Sequence, residues 1–180
     1  PVVSSAASDV YKRQVVNDIF NDSNFPNLNG DLLINCLESF KMPPGRGEIF
    51  SLNKFKIIDD SYNANPESVK AALDHLSGFQ ECRKFFVFGD MKELGANEEI
   101  FHKKIGQYAV EKADILLTVG KLAKNAQSNS NNFALSLHFN DNFSLLEKLN
   151  ELLTDGDIVL IKGSRSMQLD QLINELKNVK

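Results

Sequence analysis

Four short stretches hold the residues able to do chemistry. "IIDDSYNANP" sets Asp59 and Asp60 side by side after two apolar residues. Neighbouring carboxylates repel each other and lose solvation when buried, so the pair needs water or a partner. "VFGDMKELG" places Asp90, Lys92, Glu93 and Leu94 between glycines, "LTVGK" offers Thr118 and Lys121, and "LIKGSRS" offers Lys162, Ser164 and Arg165. Carboxylates, amides, hydroxyls and strong cations together suit a charged, sugar-bearing ligand. Asp60 is a candidate acceptor for ribose hydroxyls. Lys162 and Arg165 are candidates for phosphate or carboxylate, the arginine by a two-pronged contact.

Such residues act together only if the chain brings them to one place. From Glu48 onward, apolar runs alternate with amphipathic ones. "EIFSL" and "FKIID" read as strands joined by a two-residue turn at Asn53 and Lys54. A helix follows, capped by Asn65, begun at Pro66 and buried along Val69, Ala72, Leu73 and Leu76. "KFFVFGD", "DILLTVG", "FALSLHF" and "DIVLIKGS" read as further strands, the third of them wet on one face and near an edge. "EEIFHKKIGQYAVEKA" reads as a helix with Phe101, Ile105, Tyr108 and Ala109 inward, and "KLAKNAQ" as a short helical piece before a polar loop, "SNSNN". "NFSLLEKLNELL" and "SMQLDQLINELK" complete the helices, the last burying Leu169, Leu172, Ile173 and Leu176.

Unbroken apolar strands between helices predict a doubly wound, Rossmann-like α/β domain. Its six-stranded sheet is mostly parallel, with helices on both faces and the first strand antiparallel. Ligands of such sheets gather outside the carboxyl ends of the strands, where all four stretches fall. Upstream, residues 1–14 read as a cloning scar or disordered tail. Residues 15–40 read as two short helical pieces, with Leu33, Leu37 and Phe40 on one face of the second, leading to a boundary at "KMPPGRG".

Composition narrows the class. The chain has 180 residues, 42% hydrophobic and 24% charged, with a net charge of −4, which fits a globular protein and argues against a nucleic-acid duplex as partner. No apolar run reaches the roughly 20 residues of a membrane span. Cys36 and Cys82 lie in unrelated contexts, which fits reduced thiols in a cytoplasmic protein, and the scattered histidines predict no metal site. Plainer roles compete at each position. A strand-end aspartate is often a cap, Lys162 can snorkel, Glu93 can be solvated, and His102 reads as a core or boundary histidine. Ser164 has no neighbouring base, and "GDMKELG" is not a GxxxxGK[ST] phosphate loop.

In order along the chain, "PPGRGEIF", "IIDDSYNANPESVKAAL", "VFGDMKELG", "FHKKIG" and "VLIKGSRSMQLDQLI" together resemble the C-terminal part of the bacterial Mur ligases, over about residues 30–180. The resemblance implies a three-domain, monomeric enzyme of peptidoglycan precursor synthesis that uses ATP and Mg2+ to join D-alanyl-D-alanine to UDP-MurNAc-tripeptide through an acyl phosphate. Residues 15–44 would then belong to the central ATPase domain and linker, and residues 45–180 to the C-terminal domain. The magnesium ligands and phosphate loop are implied for the central domain, so this stretch alone is expected to be inactive. Carried over by motif, Arg46, Asp60, Tyr62, Asn63 and Asn65 are implied at the nucleotide. Asp90, Glu93, Leu94, Lys162, Ser164 and Arg165 are implied at the dipeptide and peptide substrates, and no catalytic residue is assigned. Two other classes fit the bare pattern. A phospho-receiver domain would use Asp90 as acceptor with Thr118 and Lys162 as switch residues, and a non-enzymatic nucleotide-sensing module would need no partner domains.

Overall fold

A computed structural model describes residues 43–52 and 55–178. The expectations for residues 1–42 and for the turn at Asn53 and Lys54 lie outside the described residues. Six strands form one sheet: β1 (Glu48–Leu52), β2 (Phe55–Asp60), β3 (Lys84–Gly89), β4 (Ile115–Val119), β5 (Leu135–Phe139) and β6 (Ile158–Lys162). Their spatial order is β1-β2-β6-β3-β4-β5. β1 pairs antiparallel with β2, and Leu52 faces Phe55 in the register, while every other pairing is parallel. The α/β expectation, with one antiparallel strand at the edge, therefore holds.

The sheet is covered on both sides because side chains alternate along each strand. Ile58, Phe86, Phe88, Leu116 and Leu160 pack with α1 (Pro66–Ser77) and α2 (Glu98–Ala109). Ile57, Phe85, Val87, Leu117, Val159 and Ile161 pack with α3 (Asn142–Leu152) and α4 (Leu169–Asn178). Fully burying an aliphatic or aromatic side chain contributes about 1.5–3 kcal/mol, so these two layers dominate the stability of the domain. β5 is half-buried throughout, as an edge strand should be.

Three local expectations need correction. α2 stops at Ala109, and its fully buried stripe is His102, Ile105, Gly106 and Ala109, while Phe101 and Tyr108 are only half-buried. Between β4 and β5 residues Ala123–Asn132 wind as two 3-10 pieces that meet at a kink at Asn129, so the polar "SNSNN" run, expected as a loop, is mostly wound. That segment can lie close to α2 because a Cβ on Gly106 would stand 2.1 Å from the Ala126 carbonyl oxygen. α4 starts at Leu169, after a 3-10 turn at Arg165–Met167 and a left-handed Gln168.

The position of β6 also separates this fold from the receiver pattern. Flavodoxin-like and receiver sheets run 2-1-3-4-5, which leaves the last strand at an edge. Here the last strand lies between β2 and β3. Its end therefore sits beside Asp60, as the register Asp60–Lys162 shows.

Candidate functional site

Parallel pairing brings the carboxyl ends of β2, β3, β4, β5 and β6 to one rim of the sheet. The register aligns Asp60 and Phe88 with Lys162, and Val119 with Gly89 and Phe139. The loops beginning at Asp60, Asp90 and Lys162 thus share a border, as expected from the strand pattern. What differs is how many of their polar groups are turned inward.

Asp60 is 5% exposed and Lys162 1% exposed, so neither stands in open solvent. Lys162 Nζ donates to Asp60 Oδ2 at 2.6 Å and to the Asn63 carbonyl at 3.0 Å. Burial pushes the Asp60 carboxyl up and the Lys162 ammonium down from their ordinary pKa values, and their mutual contact opposes both shifts. Of water or a partner, Asp60 has taken a partner: it, expected at ribose hydroxyls, and Lys162, expected at phosphate or carboxylate, engage each other instead of standing open. The two charges neutralise each other across the β2–β6 seam and hold the loop that follows. Asp59 faces the opposite way and accepts from both the Ser61 amide and hydroxyl.

The loop after β2 reaches α1 through a reciprocal cap. Asn65 Oδ1 accepts the Ser68 amide while Ser68 Oγ accepts the Asn65 amide. Asn63 Oδ1 accepts the Ala64 amide. Tyr62, just before Asn63, is 41% exposed. Its ring lies 4.1 Å from the Arg46 guanidinium and 5.6 Å from that of Arg165, so cations from two other loops flank it. Arg46 is held there by the flanking backbone: the Tyr62 amide donates to Gly45 O, and the Gly47 amide to Asp59 O. Gly45 and Gly47 both have φ near +80°, at 77° and 79°, a region that side chains disfavour.

Around the β3 end, Asp90 is 2% exposed and fully engaged. Its Oδ1 accepts the amides of Leu122 and Ala123, and its Oδ2 pairs with Lys92 Nζ at 2.9 Å. Ser164 is likewise buried: its amide donates to Asp90 O, and its Oγ accepts the Lys92 amide. Asp90 and Ser164 therefore stitch three loops together and do not project toward a ligand. The same engagement leaves Asp90 poorly suited as a phosphoryl acceptor. Glu93 and half-buried Leu94 form the outer turn, with Glu93 in the left-handed region at φ 63°. Arg165 is exposed and lies 3.7 Å from Asp170.

Two residues to which the sequence assigned no site role shape this rim, and His102 is the core histidine expected. Lys92 neutralises Asp90. His102, fully buried, accepts the Met91 amide on Nε2 and pairs Nδ1 with the Glu98 carbonyl. Its place three residues before Ile105 and seven before Ala109, on the buried stripe of α2, was the available signal.

Comparison with known proteins gives a consistent result. The UDP-N-acetylmuramoyl-tripeptide–D-alanyl-D-alanine ligase of Bacillus subtilis is 38% identical over 128 residues, 67% of this chain and 27% of that protein. The Escherichia coli ligase of the same name is 34% identical over 145 residues, 78% of this chain and 31% of that protein. This chain thus spans about a third or less of these curated relatives. Among solved structures, MurF from Acinetobacter baumannii aligns with a TM-score of 0.75 at 27% identity, over 84% of this chain and 34% of that one. MurF from Thermotoga maritima, in complex with ADP, aligns with a TM-score of 0.70 at 27% identity, over 81% of this chain and 33% of that one. The profile described as Mur ligase, glutamate ligase domain matches residues 45–165, and the chain belongs to the Mur ligase family, of which this is the C-terminal domain.

Proposed function

We propose that residues 45–180 are the closing domain of a UDP-N-acetylmuramoyl-tripeptide–D-alanyl-D-alanine ligase, acting in the cytoplasm as part of a monomeric enzyme. Residues 15–44 are read as the link to a central ATPase domain, which supplies the phosphate loop and magnesium ligands. The whole enzyme would phosphorylate the terminal carboxylate of UDP-MurNAc-tripeptide with ATP. The amine of D-alanyl-D-alanine then attacks the acyl phosphate, and phosphate leaves as the new peptide bond forms. The observation that carries the reading is the shared rim, where exposed Tyr62 stands between Arg46 and Arg165. The names of the relatives support the same substrates.

In this reading the chain positions and encloses; it supplies no reacting group. Arg46 and Tyr62 offer a cationic and an aromatic surface to a nucleotide, with Asn63 and Asn65 bordering it. Asp60 sets that loop from below through Lys162 and Asn63. The dipeptide faces the Glu93–Leu94 turn, and the exposed Arg165 meets a substrate carboxylate. Asp90, Lys162 and Ser164 serve the substrate side by holding these loops in register. Closure of such a domain brings the reacting groups together and keeps water out.

A chimera gives the test. Residues 45–180 replace the corresponding domain of the Bacillus subtilis relative, and ADP release is measured with and without D-alanyl-D-alanine. Dipeptide-dependent turnover is expected, and Arg46→Ala in the chimera should raise the ATP KM. A folded chimera that turns over no ATP in response to dipeptide contradicts the reading.

A further inference from the structure

The turn from Asp90 to Gly95 is fastened at its base by two consecutive amides. Met91 N–H is taken by His102 Nε2 at 2.8 Å, and Lys92 N–H by Ser164 Oγ at 2.8 Å. Beyond that base, the turn carries Glu93 at φ 63° and Gly95 at φ 67°. A non-glycine residue in the left-handed region persists only where its surroundings hold it. His102 comes from α2, eleven residues downstream of Met91, and packs its ring 5.5 Å from that of Phe88. Its other nitrogen lies 2.6 Å from the Glu98 carbonyl, which can only accept. The two contacts together require a proton on Nδ1 and a bare Nε2, the neutral imidazole.

We propose that His102 is a positioning residue that, through the Met91 amide, holds the Glu93–Leu94 turn in its present shape, and that only its neutral form does so. The statement that this turn faces a dipeptide rests on the ligase reading; the action of His102 on the turn does not.

The chemistry is one of donor against donor. A second proton on the ring would set an N–H against the Met91 N–H and remove its acceptor. The amide would then be buried without a partner, a cost large enough to favour rearrangement of the turn. The charged groups facing the ring are Asp90 and Lys92 from the turn and Glu98 from its own helix. Asp90 and Glu98 favour the imidazolium, Lys92 opposes it, and burial, the largest influence, holds the ring below its usual pKa. The turn is therefore fastened at neutral pH and loosens in acid.

Nuclear magnetic resonance on the full 180-residue chain decides the matter, using wild type, His102→Gln and His102→Leu. Glutamine places an amide oxygen near the Nε2 position and cannot take the extra proton in this range, while leucine fills the space without an acceptor. Expected are ring nitrogen shifts for protonated Nδ1 and unprotonated Nε2. Met91 amide exchange should be slow in wild type and His102→Gln and at least tenfold faster in His102→Leu. Between pH 7 and 5, the Met91–Leu94 amides should follow the His102 ring in wild type and stay still in His102→Gln. The opposite tautomer, a glutamine variant that behaves like leucine, or a turn indifferent to the ring's titration would each overturn the proposal. Titration with D-alanyl-D-alanine is read separately. Silence at Glu93 and Leu94 in the wild-type chain counts against the ligase reading, and the tautomer and exchange data alone decide on His102.

Discussion

The Asp60–Lys162 pair sets the character of the rim. An ion pair this deep is costly to form, and removing one member leaves a buried charge uncompensated, typically at about 3–5 kcal/mol. Lys162→Met should therefore destabilise the domain by about that amount, and Asp60→Asn combined with Lys162→Met should recover much of it. Urea unfolding of the single and double variants checks the coupling, and simple additivity would argue against it. Asp60→Ala should likewise destabilise the domain, since it would strand the lysine. Nothing in "IIDDSYNANP" or "LIKGSRS" alone shows that they meet; the contact spans 102 residues and exists because β6 inserts beside β2. Two histidines contribute to the response to acid. Burial holds the folded-state pKa values of His102 and His138 below the ordinary value. Their contribution to stability is therefore present above about pH 6.5, the unfolded value, and is lost as pH falls through the lower folded values. The urea midpoint should drop between pH 7 and 5, and His102→Gln should flatten that slope.

At the level of elements, the strands and helix stripes were legible because periodicity records burial directly. Val69, Ala72, Leu73 and Leu76 of α1 and the closing stripe of α4 are buried as their spacing implies. After β4 the short helical piece at "KLAKNAQ" was legible, but its continuation through "SNSNN" was not, because that stretch is polar and the segment is held by specific contacts. Gln127 reaches Thr118 Oγ1 and the Leu137 carbonyl, and Asp90 caps its start. Gly106→Ala should push α2 off this segment and cost about 1–3 kcal/mol, as overpacking does. An unchanged unfolding midpoint would show that the close approach is dispensable. At the opposite end of the sheet, buried Asp157 accepts from Arg83 Nε and NH2 and from the Thr154 amide just before β6. Asp157→Ala should cost about 1.5–3 kcal/mol, because it removes the acceptor of hydrogen bonds from the Arg83 guanidinium and the Thr154 amide. An unchanged midpoint in thermal unfolding would contradict that.

For the molecule as a whole, the family motifs marked the loops, but not which of their side chains face outward. Asp90, Ser164 and Lys162 carry ligand-like chemistry and spend it on one another's loops. Tyr62, Arg46, Glu93 and Arg165 remain at the surface of the rim. No helix among the described residues is long and apolar enough to cross a membrane. Nor does the sequence contain a GxxxxGK[ST] phosphate loop. The purified chain should therefore show no dipeptide-dependent ATP turnover, and measurable turnover would place an activating centre within it. The central claim is that one rim of this sheet receives nucleotide and dipeptide on adjoining loops. Its most direct test is amide mapping of the chain during titration with ADP and, separately, with D-alanyl-D-alanine, each to millimolar concentration. The account predicts shifts at Arg46, Tyr62, Asn63 and Asn65 with ADP and at Glu93, Leu94 and Arg165 with the dipeptide. Shifts gathered instead around Arg83, Thr154 and Asp157, or none with either compound, would contradict it.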